Sequence, residues 1–308
     1  MTIDELNAIN ASGGMDEFIR VCEAVQVKAL SRIADSVCAR DNVRLVLLAG
    51  GSSAGKTTTA KRLCTQLRVN GREAMHFSTD DYFVGDARNP RDENGEFDYE
   101  HVDCVDIPRL AADMNALMRG ERVHLRRFDF IRHDGYDASD LTSIPERGII
   151  VLEGIHALNP RLTAEIDDAC KYRVYVKPQP KIEIFMSTCL SAADSRLLRR
   201  LVRDNQFRKV SPEETFRMWP KVLAGEKRWI EPFSTLADAE FDSLLAYELA
   251  VLRPYAQGLL ARVRHRQPVN AKAAMLSDLL SLVERVSPNS VPGDSILRET
   301  IGCSQLCY

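Results

Sequence analysis

Residues 44–70 read RLVLLAGGSSAGKTTTAKRLCTQLRVN, and the fold follows from how that stretch divides. Leu45-Val46-Leu47-Leu48-Ala49 is an unbroken apolar run, the pattern of a strand buried on both faces. Gly50 to Thr57 satisfies G-x-x-x-x-G-K-[ST]. Beyond it Ala60, Leu63, Cys64 and Leu67 share one helical face, Lys61, Arg62 and Arg68 lie off it, and Gly71 supplies a C-terminal stop. Strand, glycine loop and helix come in the order that a phosphate cradle requires.

The residue types have a physical reason. Triphosphate oxygens are met by inward-pointing backbone N–H groups, which side chains would obstruct. The loop accordingly uses Gly50, Gly51 and Gly55 with the small Ser52, Ser53 and Ala54. The first turn of the following helix adds unpaired N–H groups and a positive dipole end. Lys56 is expected at the β- and γ-phosphates, the Thr57 hydroxyl on Mg²⁺, and Thr58 beside it against the nucleotide. A Gly/Ser turn with an incidental lysine is the alternative, and the flanking strand and helix argue against it.

The rest of the 308 residues sets bounds on the answer. A chain of this length suits one large domain with appendages, or two domains. Apolar residues make up 45% and charged residues 28%, ordinary for a globular protein with a sizeable core. A net charge of −3 gives no reason to expect nucleic acid or an anionic membrane as partner. No apolar run approaches a membrane span, and MTIDELNAIN lacks a basic start and apolar core, so a cytoplasmic protein is expected. The eight cysteines include no C-x-x-C pair, which makes reduced core thiols the expectation and a zinc site unexpected.

Outward from the loop, residues 1–40 show helical periodicity and read as a helical arm. Ala74–Ser78 reads as a second strand, followed by Asp80 and a long polar loop over 84–103. Residues 107–118 read as helix and 122–130 as strand. Gly148–Gly154 is a buried strand with Glu153 near its C-terminal end, and 171–176 a further strand. An arginine-rich helix spans 194–204, a capping box at Ser211 and Glu214 opens the next helix, and 240–287 supply two more. The tail over 288–308 reads as loop. Strands alternating with helices predict a three-layer α/β fold of P-loop NTPase type with a mostly parallel sheet and added N- and C-terminal helices. Ligands of such sheets bind beyond the carboxyl ends of the strands, where Gly50–Thr57, Asp80 and Glu153 all fall.

A phosphate loop alone fits a GTPase, a transport ATPase or a small-molecule kinase. The chain carries no N-K-x-D and no LSGGQ-type motif. It carries Asp80-Asp81-Tyr82-Phe83, Phe97-Asp98, Phe128-Asp129-Phe130 with His133, Leu152-Glu153-Gly154-Ile155, and arginines at 196, 199, 200 and 203. This ordered set, over about residues 44–245, resembles the uridine kinase and phosphoribulokinase family of P-loop kinases. Pro90–Gly95, Met218-Trp219-Pro220 and Ser295–Glu299 are most similar to its bacterial-type uridine kinases.

The resemblance implies an ATP- and Mg²⁺-dependent kinase domain over 41–287, with a lid at about 190–210, that phosphorylates the 5′-hydroxyl of uridine or cytidine. It implies Asp80 as general base, Asp98 on the ribose hydroxyls, and Glu153 as a Walker-B-like acid on Mg²⁺ or its waters. Phe83, Phe128, Phe130 and His133 would hold the pyrimidine. Uridine–cytidine kinases often have tyrosine where this chain has Phe83 and Phe128. Arg196, Arg199, Arg200 and Arg203, spaced by three and four on one helix face, would close over the triphosphate, Arg196 and Arg199 serving the transfer itself. A solvated charged face is the plain alternative for them. The partner is then a small nucleoside, with homo-oligomerisation open. Two other readings stay open: a related kinase acting on a sugar phosphate or pantothenate-like alcohol, and a nucleotide-binding regulatory module with little turnover.

Overall fold

The computed structural model describes residues 1–129, 132–179, 183–185, 188–263 and 269–306. Its centre is β1 (Leu45–Ala49), whose five residues are all buried. Parallel partners flank it on both sides: β5 (Ile149–Glu153) on one and β6 (Lys171–Lys177) on the other. Beyond β5 lies β2 (Ala74–Ser78), and beyond β6 lies β9 (Ala239–Asp242), giving the order β2-β5-β1-β6-β9 with every pairing parallel.

Alternation along β1 divides the core. Val46 and Leu48 face a cluster with Leu30 and Ile33 of α2 (Met15–Cys38) and Leu63 and Leu67 of α3 (Lys56–Val69). Leu45 and Leu47 face the opposite cluster, with Leu110 and Met114 of α4 (Ile107–Met118). The three layers expected from the sequence are present.

A third apolar cluster gathers α1 (Ile3–Ala11), α5 (Ala192–Phe207), α6 (Pro212–Trp229), α7 (Glu248–Leu260) and α8 (Val269–Leu282). Two short hairpins stand apart from the main sheet: β3 (Val123–Asp129) with β4 (Asp134–Thr142), and β7 (Glu183–Phe185) with β8 (Thr188–Cys189). Among the described residues no helix is long and apolar enough to cross a membrane.

Three local expectations need correction. The arm at 1–40 is not one helix: it breaks at 12–14, where Gly13 adopts φ +75°. The stretch at 240–287 overlaps strand β9 before its helices begin. The tail is not a loose loop, for Ile296, Leu297 and Ile301 are buried and α9 (Arg298–Ile301) forms a short helix. Arg298 fixes this turn by donating to the carbonyls of Pro288 (2.8 Å) and Val291 (2.6 Å).

Candidate active site

Strand order assembles the site. Glu153 ends β5 in register with Ser78 of β2 on one side and Leu48 of β1 on the other. The chain leaving β1 becomes the phosphate loop, and the chain leaving β2 becomes the turn that carries Asp80. Three functional segments therefore meet at the carboxyl edge of three adjacent strands, as parallel sheets dictate.

Gly55 caps α3 in the left-handed conformation (φ +86°), and a Cβ there would stand 2.6 Å from Ile296 Cγ2. No other residue suits that position. Lys56 Nζ donates to the Gly51 carbonyl of its own loop at 3.2 Å. The Thr57 hydroxyl donates to Glu153 Oε1 at 3.0 Å. Burial would raise the Glu153 carboxyl, yet the His76 ring 3.7 Å away and the charge of Lys56 hold it below its ordinary range. Asp80 goes the other way: burial first, then the neighbouring Glu153, raise it, against Lys56 and Arg208. Two nearby carboxyls are thereby pushed apart, one kept ionised and one moved towards neutral pH, a common arrangement at sites of proton transfer.

A cavity of about 290 Å³ takes in Lys56, Thr57, Asp80, Phe83, Phe128, His133 and Glu153. Phe83 and Phe128 meet edge to face, with ring centroids 5.6 Å apart. His133 is half exposed, with Nδ1 3.4 Å from Asp86. Phe130 lies outside the described residues. Asp98 is not in this cavity; it lines a neighbouring one of about 450 Å³ with Arg217 and Lys221.

The arginine helix differs from the expected solvated or waiting row. Leu197, Leu198, Leu201 and Val202 are buried in the helical cluster, and Arg196, Arg199 and Arg200 are buried too. Every one of the four arginines already has an acid. Arg196 forms a two-pronged pair with Glu226 and also donates to the Ser52 carbonyl at 3.1 Å. Arg200 donates to Ser52 Oγ at 2.8 Å and pairs with Asp204 at 3.1 Å. Arg203 pairs with Asp204 at 2.8 Å and lies 4.0 Å from Glu299. Arg199 turns away to Glu248 and the Ser243 carbonyl. Arg200 and Arg203 therefore line the main cavity, Arg196 braces the loop, and Arg199 ties α5 to α7.

Sequence reading missed Glu100, Glu226, Arg208 and Glu299. Arg208 was within reach, since 196, 200, 204 and 208 continue the same helical row. Glu299 closes the Ser295–Glu299 stretch that carries part of the resemblance, yet no role followed from it; Glu100 and Glu226 carry no local signal, and only tertiary contact reveals them.

The profile of the Phosphoribulokinase / Uridine kinase family matches residues 45–250. Among curated relatives, the uridine kinase of Lactobacillus helveticus is 28% identical over 195 residues, covering 63% of this chain and 83% of its own. That of Deinococcus deserti is 27% identical over 192 residues, covering 62% and 83%. Among solved structures, a possible uridine kinase from Bacillus stearothermophilus superposes with a TM-score of 0.48 at 17% identity, covering 70% of this chain and 98% of that one.

Proposed function

The chain belongs to the phosphoribulokinase and uridine kinase family and is an ATP-dependent kinase, and we propose that its acceptor is a pyrimidine nucleoside, phosphorylated at the 5′-hydroxyl. The observation that carries this reading is one cavity joining Lys56, Thr57 and Asp80 to the Phe83–Phe128 aromatic wall. Aromatic faces stack a flat base, while Asp80 stands where a hydroxyl beside the phosphate loop would enter.

In this reading the acceptor oxygen forms a bond to the γ-phosphorus as the bond from that phosphorus to the β-bridging oxygen breaks. ADP leaves, and the hydroxyl proton passes to Asp80. Lys56, Arg200 and Arg203 offset negative charge on the phosphates during transfer, and most of the rate comes from their fixed positions. Thr57 Oγ1 and Glu153 Oε1, 3.0 Å apart, form a hard-oxygen pair that would suit Mg²⁺. Held there, the ion would supply positive charge against the phosphates during transfer.

The second reading keeps the chemistry and changes the acceptor to another small alcohol. It is favoured by Phe83 and Phe128, whose rings offer no hydroxyl to a base edge, and by the placement of Asp98 outside the main cavity. ADP release over uridine, cytidine, adenosine, deoxyuridine and pantothenate separates the two. Higher kcat/KM for the pyrimidine ribonucleosides supports the first reading, and a non-nucleoside winner removes it. Membership of the family supports a cytoplasmic setting.

A further inference from the structure

The last turn of the chain closes on the phosphate loop, and the chemistry above gives it no part. Residues 293–305 form a compact loop with its ends pinned together. The Gln305 N–H donates to the Gly293 carbonyl at 2.8 Å, and the Ser304 hydroxyl donates to the same oxygen at 3.3 Å. From this loop Ile296 lies against Gly55, and Glu299 Oε2 accepts the Thr58 hydroxyl at 2.9 Å. Both contacts fall on the cap and first turn of α3, where N–H groups and dipole favour an anion.

Charge and space define what this carboxylate replaces. Arg200, Arg203 and Arg208 line the main cavity with Glu299. They share one buried acid, Asp204, at 3.1, 2.8 and 3.7 Å respectively. Arg208 is held below its ordinary range, chiefly by the charge of Arg203. Glu299, 4.0 Å from Arg203, supplies negative charge to this crowded group where a phosphate would otherwise do so. The space between loop and turn, bounded by Ser53, Gly55, Arg199, Ile296 and Thr300, is about 10 Å³. That volume holds about one water, whereas a ligand the size of a nucleoside takes a pocket of roughly 300 Å³ or more. With the β- and γ-phosphates at Lys56 and Thr57, the rest of the donor must pass Thr58, and there the turn stands. Glu299 also lines a wider cavity of about 790 Å³, so its movement would join the small space to that one.

We propose that Glu299 is an internal stand-in for a donor phosphate, and that the loop over 293–305 is a gate that ATP displaces before its nucleoside half enters past Thr58. The backbone supplies a hinge at the far end of the turn. Gly302 (φ +89°) and Cys303 (φ +57°) are consecutive positive-φ residues, and the side chain of Cys303 disfavours that conformation. Leu297 and Ile301, buried in the helical cluster, oppose opening. ATP therefore binds in competition with the chain's own carboxylate, and its apparent affinity falls with the fraction of molecules whose gate is open. The inference depends on the ATP-dependent kinase and not on which alcohol accepts the phosphate.

Hydrogen exchange of the full chain in Mg²⁺, with and without ATP and with no acceptor, tests the gate. ATP is expected to speed exchange over 293–305 while slowing it over 50–60. By calorimetry, Glu299→Gln and Ile296→Ala are each expected to bind ATP at least about threefold more tightly than wild type, because each raises the open fraction. Slower exchange over 293–305 with ATP would make the loop a wall of the donor site and overturn the gate, as would unchanged exchange. Weaker ATP binding by folded Glu299→Gln would overturn the stand-in role. The sign of the exchange change in wild type decides even if Ile296→Ala does not fold. Since no acceptor is present, a wrong acceptor assignment cannot mimic failure.

Discussion

The Thr58 hydroxyl donates to Glu299 Oε2 at 2.9 Å, across 241 positions of the chain. Thr58 follows Thr57 in the first turn of α3, where N–H groups and dipole favour anions. A carboxylate is therefore already seated beside the expected place of the donor phosphates, with Arg203 4.0 Å away.

Glu299→Gln should consequently bind ATP more tightly. Removing one like charge at a partly wet site is worth on the order of 1 kcal/mol, or about fivefold in Kd. Calorimetry of the variant against wild type checks this. Weaker binding instead would make Glu299 a ligand of the nucleotide rather than a competitor for its place.

Asp80→Asn should lose about 10²- to 10⁴-fold in kcat while ATP affinity stays near wild type. The expectation rests on a buried acid raised by its surroundings beside the phosphate loop. Single-turnover kinetics, which isolate the chemical step, provide the measurement. A near-normal rate would take the base role away from Asp80.

Glu100 gives a prediction with a sign. Its carboxyl rises from 4.5 to about 7 on folding, so between those values the folded protein holds a proton that the unfolded chain has released. Stability from this group therefore falls as pH rises through that window. Glu100→Gln should be stabilised at pH 8 by at most about 3 kcal/mol, and by little at pH 4.5. Urea denaturation at the two pH values tests it. An equal shift at both would mean that packing, not charge, is responsible.

The Arg199–Glu248 pair should matter for folding more than for turnover. Both side chains are buried, and Glu248 also accepts from the Leu245 N–H at 3.2 Å. Arg199→Ala strands a buried carboxylate, a change that costs about 3–5 kcal/mol, and a double variant with apolar residues at both positions should recover much of the loss. Thermal denaturation, read beside activity at low temperature, separates the two roles. Lost turnover at unchanged stability would return Arg199 to the chemistry.

These four residues also show what the sequence could and could not disclose. Leu45–Ala49 and Ile149–Glu153 are continuous apolar strands, and such runs were legible with nearly correct limits because both faces are buried. Asp80 was legible from its place after a strand. Strand β4, DGYDASDLT, is mostly exposed and has no alternating apolar face, so nothing distinguished it from loop. Strand β9 is only AEFD, fixed by its pairing to β6. The arginine spacing at 196–203 was visible, and so was Asp204 on the same helix, but the acids Glu226, Glu248 and Glu299 lie on other helices. Charge partners distant in sequence leave no periodic trace, which is why Glu299, though part of the Ser295–Glu299 stretch, was given no role.

The contact of Ile296 with Gly55 has a consequence in time. During synthesis the phosphate loop emerges long before the residue that seats against it. At about 5–20 residues per second, the 241 positions between Thr58 and Glu299 correspond to roughly 10–50 s. For that interval the loop is exposed beside an unfilled apolar place, and the nascent chain carries the phosphate-loop motif without the support that shapes it. The turn that seats against the phosphate loop can therefore dock only after a further 241 positions have been made.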